Sequence, residues 1–321
     1  MEQPLVSICL LTYMHEKYIG DCLESLLSQT YSNMELLILD DASTDRTFQI
    51  LKYYEKKLDE KFKCLAISRN PMNIGNISAN FNQLITRAGG AYIKTFAGDD
   101  MMLPDYVSKI ISYMEEHREA IMCYTNAYLV SDDFRWGDRP KRIFCYKEHK
   151  PVPQQDIFDA LMHRCYICTP GAMIRRRAFD EYGLYDENIK YEDYDFWLRL
   201  SHNEMFDYFP GKLVYYRRGE TSISNYKSAD GKKKMNFMMR EEQKLLLKNL
   251  QGLPKEQKRE YRQYYYNKYL RLAIMSGLWG TAIQLMIFML RKKYQITERL
   301  LMLIYNRMRY WYEDCYSKCF G

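Results

Sequence analysis

No cleavable leader pattern and no paired cysteine framework can be read in this chain of 321 residues. The apolar stretch Leu5 to Leu11 has no basic region before it and no small-residue cleavage site after it, so it reads as a strand. Nine cysteines, an odd number, are scattered along the chain. Reduced thiols in a cytoplasmic protein are the simplest expectation. Cys165-Tyr-Ile-Cys168 is a lone C-x-x-C, and Cys315 and Cys319 lie far off with different spacing. Inert buried thiols are therefore preferred to a zinc site. His15, His163 and His202 also lack metal-like spacing. With 47% hydrophobic and 27% charged residues, disordered, collagen-like and coiled-coil classes are excluded. Charge of one sign is scarce overall, at +6, but it is unevenly placed. Residues 1–226 carry 27 basic and 33 acidic side chains, and residues 227–321 carry 20 and 8. A slightly acidic body with a basic tail predicts two jobs, the tail facing an anionic surface.

What is present in the first half is alternation of strand and helix. Strand-like runs occupy Leu5–Leu11, Met34–Asp40, Phe62–Ser68, Tyr92–Phe96 and Ile121–Val130. Helical spacing is read over Asp21–Gln29, from Asp45 to Leu58, over Ile77–Ala88 and over Pro104–Glu119. Near-continuous apolar strands separated by helices predict an α/β fold, a mostly parallel sheet covered on both faces. Ligands of such sheets bind beyond the carboxyl ends of the strands. Those ends fall at Thr12–Tyr13, Asp40–Asp41, Ser68–Arg69 and Ala97–Asp100, and acids gather at two of them.

Asp99 and Asp100 are adjacent carboxylates that raise each other's pKa or recruit a cation. Carboxylate oxygens suit Mg²⁺ or Mn²⁺; a solvated loop capping the next helix is the plainer alternative. Asp40 and Asp41 could equally favour a helix N-terminus. A third cluster, Glu192, Asp193 and Asp195, lies in the first turn of an amphipathic helix whose face includes Tyr194, Trp197, Leu198 and Ser201. Complementing the helix dipole would explain it; so would a general base at the mouth of the sheet.

These residues resemble a known family. Val6-Ser-Ile-Cys-Leu-Leu-Thr-Tyr13, Leu26-Leu-Ser-Gln-Thr-Tyr31, Asp40-Asp-Ala-Ser-Thr-Asp45, Asn73-Ile-Gly-Asn76, Gly98-Asp-Asp100 and Glu192-Asp-Tyr-Asp-Phe-Trp-Leu-Arg199 follow the order of motifs in the family 2 glycosyltransferases, over about residues 4–226. The resemblance implies a GT-A fold and an inverting transfer of sugar from a nucleotide-diphosphate donor, a UDP-sugar by preference. It implies that Thr12 and Tyr13, with His15 beside them, line the nucleotide site, and that Asp41 bonds the uracil edge. Arg69 and Asn73 would touch the base. Asp99 would face the ribose or donor sugar, and Asp100 with Asp99 would hold Mn²⁺ or Mg²⁺ on the diphosphate. Asp193 matches the catalytic base, with Glu192 next to it. A histidine common near Gly219 in the family is missing, which leaves Arg217 or Arg218 to supply positive charge. Acceptor contacts are expected at Gly171 and Ala172, in Thr169-Pro-Gly-Ala-Met173, and at Trp136 if it stacks on a sugar rather than packing. Asp132, Asp133, Arg135, Trp136 and Arg139 form either a flap or a solvated loop. A non-catalytic sugar-nucleotide-binding protein would need no Asp193. A nucleotidyltransferase would show a glycine-rich phosphate loop after the first strand, and Thr12-Tyr-Met-His-Glu is not one.

Beyond Lys227 the chain becomes basic and aromatic, and a separate helical region over 227–321 is expected. Lys232–Lys234 reads as a solvated linker, and Glu241–Leu250 and Lys255–Ile274 as helices. Leu272–Leu290 is a charge-free run of 19 residues, barely membrane-spanning in length. Ser276-Gly-Leu-Trp-Gly280 interrupts it, so a helical hairpin is preferred to a transmembrane helix. Gln295–Tyr316 reads as a basic amphipathic helix with Trp311 on its apolar side. The tail then either lies peripherally on a membrane surface, fitting a polyprenyl-diphosphate-linked or saccharide acceptor, or packs as a homodimer interface. No nucleic-acid-binding module is recognised.

Overall fold

The structure, a computed structural model, describes residues 3–140, 142–144, 153–218, 231–297 and 300–306. It divides into two compact units, Met1–Asn225 and Tyr226–Gly321. The first unit runs β1 (Val6–Thr12), α1 (Ile19–Leu27), β2 (Met34–Asp40), α2 (Thr47–Lys61), β3 (Cys64–Arg69), α3 (Ile77–Arg87), β4 (Tyr92–Ala97), β5 (Met101–Met102), α4 (Tyr106–Glu116) and β6 (Ala120–Val130). It continues with β7 (Arg142–Phe144), α5 (Ile157–His163), β8 (Ala172–Arg175), α6 (Arg176–Tyr182), α7 (Glu192–Leu200) and β9 (Met205–Arg217).

Among the described residues nine strands join one sheet, ordered β3-β2-β1-β4-β8-β6-β9-β5, with β7 on β6. Alternating side chains divide its core. Ile8 and Leu10 pack toward α1, α2 and α4, on Leu23, Leu26, Leu51 and Ile110. Cys9, Leu37 and Ile93 face the other way, with Leu84 of α3 and Phe196 and Trp197 of α7. Strands buried on both faces need no polar alternation, which is why β1 and β2 read as unbroken apolar runs.

The strands β3, β2, β1 and β4 are parallel and end level with one another. Thr12 pairs with Asp40, Asp40 with Arg69, and Leu11 with Ala97. From β1 the chain moves to β2 and β3 on one side, then returns to β4 on the other. That reversal opens a crevice at the carboxyl ends of β1 and β4.

The sheet departs from the expected parallel pattern beyond β4. Strand β8 runs antiparallel to both β4 and β6, and β5 and β7 pair antiparallel as well. A parallel neighbour needs a crossover that carries the chain back along the sheet. Between β6 and β8 the described chain forms β7 and the seven-residue α5, and it enters β8 from the far end.

In the second unit, α8 (Gly231–Asn249), α9 (Lys255–Met275) and α10 (Trp279–Arg291) follow one another. Lys232–Lys234 therefore belong to a helix backbone rather than a linker. The expected hairpin is present. Gly277, at φ 70°, closes α9 with its N–H on the Ile274 carbonyl and the Leu278 N–H on the Ala273 carbonyl. Glycine adopts that left-handed conformation without steric cost. No helix among the described residues is long and apolar enough to cross a membrane. Residues 300–306 are helical; Trp311, Cys315, Cys319 and Gly219 lie outside the described residues.

Candidate active site

The crevice is built from strand-end loops stitched to one another. After β1, the Met14 N–H donates to Ser43 Oγ at 2.9 Å, the His15 N–H to Thr47 Oγ1 at 2.8 Å, and the Glu16 N–H to Asp45 Oδ2 at 3.1 Å. The hydroxyls and the Asp45 carboxylate of the stretch after β2 thus fix the path of the loop after β1. Met14 and Ala42 adopt φ 55° and 59°, a left-handed conformation costly to side-chain-bearing residues. Thr12 is buried, with Oγ1 3.2 Å from His15 Nδ1, while Tyr13 is 44% exposed at the rim. A Cβ on Gly98 would come within 2.8 Å of Thr12 Oγ1 and 3.0 Å of His15 Nδ1. Only glycine lets the β4 end close against the loop after β1.

Asp40 and Asp41 point to different tasks. Buried Asp40 pairs with Arg69 Nε at 3.0 Å, and the Arg69 guanidinium lies over the Phe48 ring. Asp41 takes four donors. Asn70 Nδ2 (2.7 Å) and the Ile74 N–H (2.9 Å) reach Oδ1; Asn73 Nδ2 (3.2 Å) and the Gly75 N–H (3.0 Å) reach Oδ2. Burial alone would raise its pKa. The bonds from the Ile74 and Gly75 amides and from Asn70 and Asn80 outweigh that and hold it below the usual range. Both oxygens are occupied by the loop after β3, so Asp41 latches that loop onto the end of β2.

At the end of β4, Asp100 is buried and Asp99 half-buried beside it. Burial and the charge of Asp99 push the Asp100 carboxyl well above the ordinary value. Among the described residues the two carboxylates share a single hydrogen bond, from the Arg217 N–H to Asp100 Oδ1 at 2.9 Å. A pair of acids so poorly compensated, and offering oxygen donors alone, fits a hard divalent cation such as Mg²⁺ or Mn²⁺. A cluster of three or more His, Cys, Asp or Glu around one point does not occur among the described residues. Protein ligation would therefore come from one or two carboxylates, as is common when substrate phosphates complete the shell.

Arg217 is held by backbone carbonyls. Its guanidinium is buried, donating from Nε to the Asp99 carbonyl at 3.0 Å and from Nη1 to the carbonyls of Ser131 and Phe134. It also lies over the Tyr18 ring, 4.5 Å from the centroid. Its Nε and Nη1 brace the Asp99–Asp100 turn and the 131–134 segment, while Nη2 has no hydrogen-bond partner among the described residues and lies 4.0 Å from Asp21 Oδ2. Arg218 is exposed, and its guanidinium sits over Tyr216.

Asp193 and Glu192 open α7, both partly exposed. Burial raises the pKa of Asp193, opposed by bonds from the Thr169 hydroxyl and the Tyr194 N–H. Glu192 is pushed up to about 8, first by burial and then by the charge of Asp193. Glu192 thus holds its proton into the neutral range.

The residues expected near an acceptor are Trp136, Gly171 and Ala172. Trp136 packs edge-on against Tyr215, 6.2 Å between centroids, in a small cluster with Phe134 and Met101. Its ring is half-buried there. Gly171 and Ala172 are buried, and a Cβ on Gly171 would meet the Thr125 carbonyl at 2.4 Å. They shape the turn that presents Thr169. Cys165 and Cys168 are free thiols, and burial pushes Cys168 up to about 12.

The model of the family described as Glycosyl transferase family 2 matches residues 7–183, more than half of the chain. The chain belongs to this family. Glu192 and Asp193 lie beyond the matched span. The glycosyltransferase is 28% identical over 244 residues to a putative teichuronic acid biosynthesis glycosyltransferase, TuaG, of Bacillus subtilis, covering 76% of this chain and 90% of that protein. Its fold matches S. aureus TarS 1–349 in complex with UDP-GlcNAc at a TM-score of 0.57 and 19% identity, covering 94% and 79% of the two chains. It spans 43% of a longer TarS chain. A mannosyltransferase from Pyrobaculum calidifontis in complex with GDP-Man and Mn²⁺ matches at 0.58 and 11% identity, covering 96% and 87%. The GT-A-like fold and glycosyltransferase class follow.

Three contributors escaped sequence reasoning: Asn70, which bonds Asp41; Tyr18, whose hydroxyl donates to Asp132 at 3.0 Å; and Lys94. Lys94 carried a signal, being a charge in the middle of an apolar strand.

Proposed function

We propose that this glycosyltransferase moves a sugar from a UDP-sugar to an acceptor hydroxyl with inversion, in assembly of a surface polysaccharide. The observation that carries the reading is the under-compensated Asp99–Asp100 pair at the crevice where β1 and β4 part. There a divalent ion held by Asp100 and Asp99 would offset charge on the leaving diphosphate as a Lewis acid. Thr12, Tyr13, His15, Arg69 and Asn73 border the base pocket, Asp41 bracing its wall. Asp193, held by Thr169 and Tyr194, takes the proton of the attacking acceptor hydroxyl. A single displacement with one base inverts the anomeric carbon, and a nucleoside diphosphate leaves without a general acid. UDP is preferred because the TarS structure binds UDP-GlcNAc, although the mannosyltransferase binds GDP-Man.

We assign the second unit to an anionic membrane surface, where a polyprenyl-diphosphate-linked acceptor would reside, in preference to a homodimer interface. Ile283, Ile287 and Leu290 lie exposed at helical spacing on α10, next to exposed Arg291, Lys292 and Lys293. That combination suits anionic lipid. Incubation with UDP-, GDP- and dTDP-sugars and Mn²⁺ tests the catalytic reading. UDP release supports it, whereas diphosphate release or no release from any donor contradicts it. Flotation of the full chain with phosphatidylglycerol vesicles but not phosphatidylcholine vesicles supports the surface assignment; a dimer that ignores both contradicts it.

A further inference from the structure

Lys94 occupies the centre of β4 with no exposure to solvent. Its Nζ donates to the carbonyls of Pro170 at 2.7 Å and Ala172 at 2.9 Å, and lies 3.4 Å from that of Thr169. The rings of Phe96 and Tyr106 flank it at 5.2 and 5.4 Å. No carboxylate lies within ion-pair distance of it among the described residues, although the charge of Asp100 acts on it from farther off. Burial lowers its pKa to about 7, so the chain bears a real desolvation cost to keep an amine here. An apolar side chain would fill this space more cheaply if packing were the whole purpose.

What the amine holds is a single tight turn. The Gly171 N–H donates to the Cys168 carbonyl at 2.8 Å, and Gly171 presses against the Thr125 carbonyl from the other side. The residue that opens this turn is Thr169, whose hydroxyl donates to Asp193. Among the described residues the other bonds to that carboxylate come from α7 itself, through the Tyr194 N–H at 2.6 Å and the Asp193 N–H. Among the described residues, Thr169 is thus the contact through which another element aims Asp193.

We propose that Lys94 is a positioning residue for sugar transfer: by clamping the Thr169–Ala172 turn, it directs the Asp193 carboxylate through the Thr169 hydroxyl. The inference rests on Asp193 being the base. Among the described residues its hydrogen bonds all go to this turn, so its loss should lower kcat more than it weakens nucleotide binding. Displacing a catalytic group by about 1 Å can cost roughly a hundredfold in rate.

The test is a double-mutant cycle in the full chain of Lys94→Met and Thr169→Val, with Asp193→Asn as reference. The donor that releases most nucleoside diphosphate supplies kcat and KM, and calorimetry with UDP and Mn²⁺ gives Kd. Lys94→Met is expected to lower kcat about tenfold or more with Kd within threefold. The double variant should be no worse than the poorer single variant, because both act through one hydrogen bond. Losses that multiply, or an unchanged kcat in Lys94→Met while Asp193→Asn is inactive, would overturn the role of Lys94. Near-normal turnover in Asp193→Asn would instead remove the base assignment beneath it. If Lys94→Met does not fold, Lys94→Gln keeps donors in place and takes the same measurements. Failure of both to fold would make Lys94 a requirement of folding and overturn the positioning role.

Discussion

Replacing Asp41 by Asn changes one atom and disturbs two hydrogen bonds. Each carboxylate oxygen accepts from two donors: Asn70 and Ile74 on one side, Asn73 and Gly75 on the other. An amide has one oxygen, so whichever way it turns, its NH₂ group faces a pair of donors. Charge-assisted bonds contribute about 1.5–3 kcal/mol each, so losing two would cost roughly 3–6 kcal/mol. Asn73 and Gly75 are exposed, and water recovers part of this, leaving about 3 kcal/mol. Urea denaturation of the full chain at pH 7 should show a lower midpoint at unchanged slope. UDP should bind at least about tenfold more weakly, since the Asn70–Gly75 wall of the pocket is unlatched. The pH dependence has a definite sign. The folded pKa of Asp41 is depressed, so its stabilisation is present above the unfolded value of about 3.9 and is lost as pH falls through the lower folded value. Wild type and variant should therefore converge in stability below about pH 4. A loss under about 1 kcal/mol at pH 7, with UDP binding unaltered, would refute the latch.

Two further outcomes follow from the site. Glu192 has a folded pKa raised to about 8, so its contribution to stability is present below the unfolded value and is lost as pH rises through 8. Glu192→Gln should thus raise Tm relative to wild type at pH 8.5 and change it little at pH 4, as thermal scans would record. Arg217→Met strips donors from the carbonyls of Asp99, Ser131 and Phe134. It should cost about 3–5 kcal/mol and raise the Mn²⁺ concentration needed for half-maximal activity, and Arg217→Lys, lacking the planar fork, should restore little of either.

The half of the fold that positions the donor was legible because its signals are local. Apolar runs ending in Thr12, Asp40 and Ala97 mark strand termini, and the register brings those termini level. Elements β8, β5 and β7 gave no such signal: they are short, and their direction depends on partners distant in sequence. Asp41, Asp99, Asp100, Asp193 and Glu192 were found as candidate residues, yet their surroundings were not. That Asp41 is bonded by Asn70, Asn73, Ile74 and Gly75 depends on where the loop after β3 folds back. The fate of Arg217, buried over Tyr18, likewise depends on the 131–134 segment meeting the end of β9. Trp136 and Gly171 show the same limit, since composition says nothing about whether an aromatic is covered or a glycine is pressed against a carbonyl.

Asp193→Asn, assayed for nucleoside diphosphate release and for donor affinity in parallel, tests the central assignment most directly. Loss of the proton acceptor should cut turnover by roughly a hundredfold or more while the donor binds as in wild type. Turnover within a few-fold of wild type, at unchanged donor affinity, would show that the acceptor hydroxyl gives up its proton elsewhere.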